Sequence, residues 1–348
     1  MIETTPLRRL IKRILIGSQD SQEVSEQCSI LCPSEKAPSL PAIYLEGQLD
    51  KVTGFIEGVN LDIEKNRLAG TMREHSATVA YHIRDALILN GYVYKGAMKY
   101  TLVSTPESFF SPKVVDYLPK AALSCTFAGN RFFGHWIGDD LPLNLAAQQL
   151  AEPITVVKKP YAHESEYLSL FNLRSRPITQ IRCGELIILN DVGQNSFKRQ
   201  RYELLRSALK NLTPLQPNYG VMIRRGKSGV SRVLTNEDEI AQFLETRGFI
   251  IINPEHMPAK EIVHQTLGAK IILGTEGSHI AHGIFTMADH GTIFTLQPPY
   301  RFHGIYKDYT DCLDMRYAFV VGNNSPDGFM INLEDLARTL DKIEYLMK

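Results

Sequence analysis

The residues best able to do chemistry fall in three short runs. The first is Asn130-Arg-Phe-Phe-Gly-His135-Trp136-Ile-Gly-Asp139-Asp140-Leu-Pro142. Placed on a helix, His135 and Asp139 are four apart and share one face. A carboxylate held within reach of a hydroxyl can act as a general base, and an imidazole can do the same or orient a sugar. Trp136 is the single tryptophan; its flat ring suits a sugar face as well as it suits a core. The plain alternative for the run is a polar helix start, with Asp139 or Asp140 as caps.

The second run, Met222-Ile-Arg224-Arg225-Gly-Lys227-Ser-Gly-Val-Ser231-Arg232, sets four cations and two glycines after an expected strand. Arginine forks take phosphate oxygens in pairs, and glycines let the backbone come close. The spacing is not that of a Walker A loop. A solvated charged loop would look the same. The third run, Ile271-Ile-Leu-Gly274-Thr-Glu276-Gly277-Ser278-His279, leads from a strand into a helix, where free N–H groups favour an anion. It lacks the G-x-G-x-x-G fingerprint of nicotinamide enzymes. Glu276 would repel a phosphate and is better suited to accept hydrogen bonds from ribose hydroxyls. An ordinary glycine turn is the alternative here.

These runs need elements to position them. The chain has 348 residues, with 38 Lys+Arg against 38 Asp+Glu, so its formal charge is zero. That length suits two domains, and the neutral balance argues against nucleic acid as the main partner. The five cysteines are scattered; Cys28 and Cys32 have no second pair at zinc spacing, and reduced thiols of a cytosolic protein are the simpler reading. No apolar run is long enough for a membrane span, and the interleaved basic start does not read as a signal peptide. Residues 5–15 predict a helix with Leu7, Leu10, Ile11, Ile14 and Leu15 on one face and Arg8, Arg9, Lys12 and Arg13 largely opposite. Such a helix can lie on an anionic membrane, or simply pack on its own domain with its basic side in water.

Residues 18–45 read as loop, and residues 46–110 as strand-rich, with a hairpin turning at Asn90-Gly91. From about 121 strands and helices alternate: strands at 123–128, 154–157 and 185–189, helices at 135–150 and 164–172. A basic helix is expected within 193–210. A second alternating set follows, with strands at 219–224, 249–253, 270–274, 292–296 and 317–321 and helices at 236–246, 259–267, 279–285 and 333–343. The pattern predicts an α/β fold with two doubly wound domains facing a cleft, after a strand-rich N-terminal portion. The expected divisions are the helix within 1–20, one domain over 21–195 and a second over 196–348.

Taken together the three runs resemble glycosyltransferase family 61. Gly134-His135-Trp136-x-x-Asp139-x-Leu141-Pro142 looks like that family's G-H-W-x-x-D-x-L-P motif. The Gln194–Arg206 stretch is similar to its inter-domain helix, and Arg224-Arg225 with Ser231-Arg232 and Asn236-Glu237 resembles its R-x(n)-R-x-x-x-N-E signature. The likeness runs over roughly 85–345. It departs at the turn, where Glu276 and Ser278 stand in place of the family's His and Ala. The resemblance implies a GT-B fold, an inverting transfer from a nucleotide-diphosphate sugar to a glycan hydroxyl, deprotonation of that hydroxyl by one base, and no metal or other cofactor. It places Asp139 as base with His135 as its rival, and Trp136 and Asp140 toward the acceptor. Arg224, Arg225, Lys227, Arg232, Glu276, Gly277, Ser278 and His279 fall toward the donor. Surface polysaccharide synthesis in the cytoplasm, touching the inner membrane through residues 6–16, is the expected setting. A non-catalytic binding subunit that keeps the fold is the alternative.

Overall fold

A computed structural model describes residues 2–209, 212, 216–226 and 232–347. The chain divides into two compact units, residues 1–35 with 75–201 and residues 36–74 with 202–348.

In the first unit β1 (Gln27–Cys32), β2 (Thr78–Leu89), β3 (Tyr92–Lys95), β4 (Met98–Thr101), β5 (Tyr117–Leu123), β6 (Pro153–Val156), β7 (Arg176–Ile178) and β8 (Gln180–Asn190) form an eight-stranded sheet. Its order is β7-β6-β5-β8-β2-β3-β4, with β1 also paired to β2. The quartet β7-β6-β5-β8 is parallel, while β2, β3 and β4 form an antiparallel meander. The β2–β3 hairpin turns at Asn90 and Gly91, both with positive φ (50° and 82°), as a two-residue primed turn requires. Along β8 alternate residues serve opposite faces. Leu186 and Ile188 join one core with Ile83, Val93 and Leu123. Ile187 and Leu189 join another with Leu143, Ala146 and Ala147. Those last three lie on α3 (Leu141–Leu150), which follows α2 (Phe127–Arg131). The helix α1 (Thr5–Ile16) precedes the sheet, and α4 (Glu164–Leu170) links β6 to β7.

In the second unit β9 (Gly220–Ile223), β10 (Phe249–Ile252), β11 (Ile271–Thr275), β12 (Thr292–Gln297) and β13 (Arg316–Val321) make an all-parallel sheet of order β10-β9-β11-β12-β13. Its central strands are buried along their whole length, as a parallel sheet covered on both faces demands. The core gathers Met222, Leu273, Phe294 and Val320 with Leu244 of α6 (Glu237–Thr246) and Leu336, Leu340 and Ile343 of α9 (Leu333–Leu346). The Asn332 side chain caps α9 by accepting from the Glu334 and Asp335 N–H groups. Between them lie α7 (Ala259–Thr266) and α8 (Tyr306–Cys312). Residues 36–74 pack on this unit: Ile43 bridges to Ala318, and Glu64 accepts from the Gly304 N–H at 3.1 Å. The remaining helix, α5 (Ser196–Ala208), belongs to the first unit up to Arg201.

The α/β class read from the sequence is the class observed, and most expected elements lie within a few residues of their places. Three differ. Residues 18–45 contain β1, whose alternation is masked by polar residues because its outer face is exposed. The strand expected at 123–128 ends at Leu123, since Thr126 turns the chain by accepting from the Gly129 N–H at 2.9 Å. The helix expected at 279–285 is a 3₁₀ turn, Ser278–Gly283. Because Leu244 is fully buried in the second core, Leu244→Ala should cost about 2–5 kcal/mol. The check is a markedly lower thermal unfolding midpoint for that variant.

Candidate functional site

Open α/β sheets bind ligands beyond the carboxyl ends of their strands, where the strand order reverses. The parallel part of the first unit reverses between β5 and β8; the second sheet reverses between β9 and β11. All three chemically marked runs emerge at those strand ends, after Leu123, Ile223 and Thr275.

After β5 the chain makes α2, a short turn Phe133–His135, and a turn of π-helix, Trp136–Asp140, before α3. Pro142 sits in the first turn of α3, so regular α hydrogen bonding begins only there. On this segment His135 Nδ1 lies 2.7 Å from Asp139 Oδ2. A carboxylate can only accept, so the imidazole proton is on Nδ1 and the basic lone pair of the neutral ring is on Nε2. Both side chains are partly exposed, at 29% and 23%. Behind them lies a buried chain of charge. Lys198 Nζ is 3.5 Å from Asp139 Oδ1 and 3.9 Å from Asp191 Oδ2. Arg201 grips Asp191 with two bonds of 2.8 Å. Lys198 and Arg201 are each 1% exposed, so Asp191 is what makes their burial tolerable.

The other two expected acceptor residues have different duties. Trp136 is buried and stacks on Phe133 beside Tyr161, so its ring is core rather than an open face. Asp140 is buried too, and its Oδ1 accepts from the Thr126 N–H and hydroxyl at 3.1 and 2.8 Å. Burial pushes its carboxyl well above the ordinary range, against the pull of those bonds. It presses on Gly129, where any Cβ would collide with it. Asp140 thus ties the π-turn to the end of β5 rather than facing a ligand.

In the second unit the strand ends gather arginines. Arg225 and Arg232 both donate Nη1 to the Glu276 carbonyl, at 3.4 and 3.1 Å. The Glu276 carboxylate is nearly shut off from solvent and takes an Arg301 bond at 3.0 Å. Arg232 Nε lies 3.1 Å from the same oxygen, as an ion pair rather than an aligned bond. Tyr306 donates to the Gly277 carbonyl at 2.7 Å. Gly277 has φ of 152°, and a Cβ there would strike Arg225 Nη1; only glycine lets the guanidinium cross the turn. Burial pulls all three arginine pKa values down while Glu276 holds them up. Arginine stays charged regardless. Three guanidiniums thus meet around one buried carboxylate and its carbonyl.

Arg224 stands apart from this group, paired with Asp238 at 2.7 Å and near Glu237 at 3.7 Å. It lines a cavity of about 440 Å³ together with Arg225, Arg232, Glu237, Asn253 and Glu255. His279 is held neutral: burial first, then Arg225, His282 and Arg232, push its pKa well below the ordinary value. It therefore adds no positive charge. Ser278 opens the 3₁₀ turn. Lys227 and Ser231 lie outside the described residues. Glu276, expected at a ribose, faces the arginines instead. Sequence reasoning missed Arg301, Tyr306 and Asp191, and read Lys198 and Arg201 only as parts of a helix. Arg301 and Tyr306 follow β12, a neighbour of β11 in space but distant in sequence, and no local spacing marks them. Among the described residues no group of three or more His, Cys, Asp or Glu side chains gathers as a metal ligand set.

Removing the charge of Asp191 would leave Lys198 and Arg201 buried without compensation. Asp191→Asn should lose about 3–5 kcal/mol, seen as a large fall in thermal midpoint. Gly277→Ala should fold but displace Arg225, weakening pyrophosphate binding by about tenfold or more, since a charge-assisted bond is worth about 1.5–3 kcal/mol. Calorimetric titration with pyrophosphate checks the second expectation.

No curated protein matches this chain. A family model does: the one described as Glycosyltransferase 61 matches residues 133–294. That span holds the His135–Asp139 pair, Lys198 and Arg201, the arginines after β9 and the Glu276–His279 turn, and it is narrower than the likeness at 85–345. Over residues 133–294, a little under half of its length, the chain is thus similar to the glycosyltransferase 61 family.

Proposed function

We propose that the chain is an inverting glycosyltransferase that moves a sugar from a nucleotide-diphosphate donor to a hydroxyl of a glycan. The observation that carries this reading is the convergence of Arg225, Arg232 and Arg301 on Glu276 and Gly277 at the strand-order reversal of the second sheet. A cluster of guanidiniums held at the end of a parallel sheet suits a departing diphosphate. Fixed guanidiniums would then stabilise the leaving charge with no metal, and activity is expected to persist in EDTA. The GT-B arrangement belongs to the same proposal, as does a cytoplasmic role in surface polysaccharide synthesis.

Inversion needs one base for the acceptor hydroxyl. Asp139 was the first choice on sequence grounds. Its bonds to His135 and Lys198 favour a different division of labour. A carboxylate that accepts from one ring nitrogen of an imidazole orients the ring and fixes its tautomer. In this reading His135 Nε2 takes the proton of the acceptor hydroxyl while that oxygen attacks the anomeric carbon. The donor's bond to the diphosphate oxygen breaks on the opposite side. Asp139 positions His135.

One observation favours the non-catalytic alternative: Glu276 already occupies part of the arginine cluster. The two readings separate by kinetics. His135→Ala should lower turnover by about 10²–10⁴-fold while leaving the donor dissociation constant unchanged. Arg225→Ala and Arg232→Ala should each raise that constant about tenfold or more. Donor binding with no turnover in the unaltered protein, over a panel of glycan acceptors, would favour the binding subunit.

A further inference from the structure

The helix α1 is amphipathic, yet it sits on its own unit the wrong way round. Its buried residues are Pro6 and Arg9. Arg9 Nε donates to the Ala97 carbonyl at 3.1 Å, on the turn between β3 and β4. The side that carries Pro6 and Arg9 is therefore the side that docks, and not the apolar face as a whole, which the expected alternative would pack. Both ends are fastened. Glu3 accepts from the Thr5 N–H at 3.0 Å and pairs with Arg182, and the Gln19 side chain accepts from the Ala97 N–H at 2.9 Å. The apolar face is left outward, with Ile11 50%, Ile14 76%, Leu15 76% and Ile16 65% exposed. Leu7 and Leu10, nearer the docked end, are half-buried.

Charge says what can cover this face. Arg8 and Lys12 run along one flank of the apolar strip and Arg13 along the other. All three are exposed, and among the described residues none has an ion-pair partner. The helix contains no acid. A second copy laid face to face would bring two such sets of cations together, which like-charge repulsion opposes. An anionic lipid surface instead accepts the apolar side chains among its acyl chains and the flanking cations among its phosphates. We propose that the distal part of α1, residues 11–16, is a membrane-surface contact for anionic phospholipid, oriented by the Arg9–Ala97 bond that keeps the opposite side on the sheet. The inserting segment is thus shorter than the 6–16 expected from the sequence, because Pro6 and Arg9 are already buried.

The test is co-sedimentation of the full chain with vesicles of phosphatidylcholine and phosphatidylglycerol in equal parts, and with phosphatidylcholine alone. Two variants keep the docking residues: Ile14→Ser with Leu15→Ser, and Lys12→Glu with Arg13→Glu. All altered side chains are exposed, so both variants should fold, and unchanged thermal midpoints confirm that. The unaltered chain should pellet with the anionic vesicles and release as salt rises. Each double variant should bind about tenfold less or weaker still. Equal pelleting of all forms, or negligible pelleting of the unaltered chain at low salt, overturns the proposal. So does a concentration-dependent dimer in sedimentation velocity that the Ile14→Ser, Leu15→Ser variant abolishes, which would make a second copy the occupant.

Discussion

A carboxylate shut away from water must be paired or it will not stay charged, and Glu276 meets that demand by drawing in arginines. Without it Arg225 and Arg232, from the stretch between β9 and α6, and Arg301, from the stretch after β12, would repel one another. With it they converge on one carboxylate and its carbonyl. The backbone follows from that cluster. Gly277 has no side chain because Arg225 crosses it, and Tyr306 ties down its carbonyl. The adjacency of β9 and β11, where the strand order reverses, delivers Arg225 and Glu276 to the same sheet edge. The acid thus has a mechanical role: it trades some positive potential for fixed geometry.

The first unit uses the same logic with the signs exchanged. Asp191 lies between two buried cations, Lys198 and Arg201. Lys198 in turn reaches Asp139, and Asp139 holds His135. The His135 end of this chain is partly exposed, while the Arg201 end is not. The π-turn, Asp140 and the buried ion pairs hold the His135–Asp139 pair from behind.

Strong local patterns were legible in the sequence. The alternation of strands and helices gave the α/β class, and the Asn90-Gly91 turn and the amphipathic α9 stand where their residues say. The G-H-W-x-x-D run and the arginine run stand just after the carboxyl ends of β5 and β9. What stayed hidden depends on contacts between residues far apart in the chain. Arg301 and Tyr306 reach the cluster only because β12 lies beside β11. The packing of residues 36–74 on the second sheet leaves no periodic signature. The role of Trp136 was undecidable, since an aromatic ring suits a core and a sugar equally well, and only burial separates the two. For α1 the period was plain but its direction was not: one hydrogen bond from Arg9 turns the apolar face outward.

The central claim is that the guanidinium cluster around Glu276 and Gly277 is a diphosphate site. A crystal structure of the protein with a nucleoside diphosphate, grown in the presence of EDTA, addresses it most directly. The account expects the pyrophosphate to lie against Arg225, Arg232 and Arg301, beside the Gly277 turn. A nucleotide bound elsewhere on the chain, with the Glu276 cluster unchanged and untouched, would contradict it.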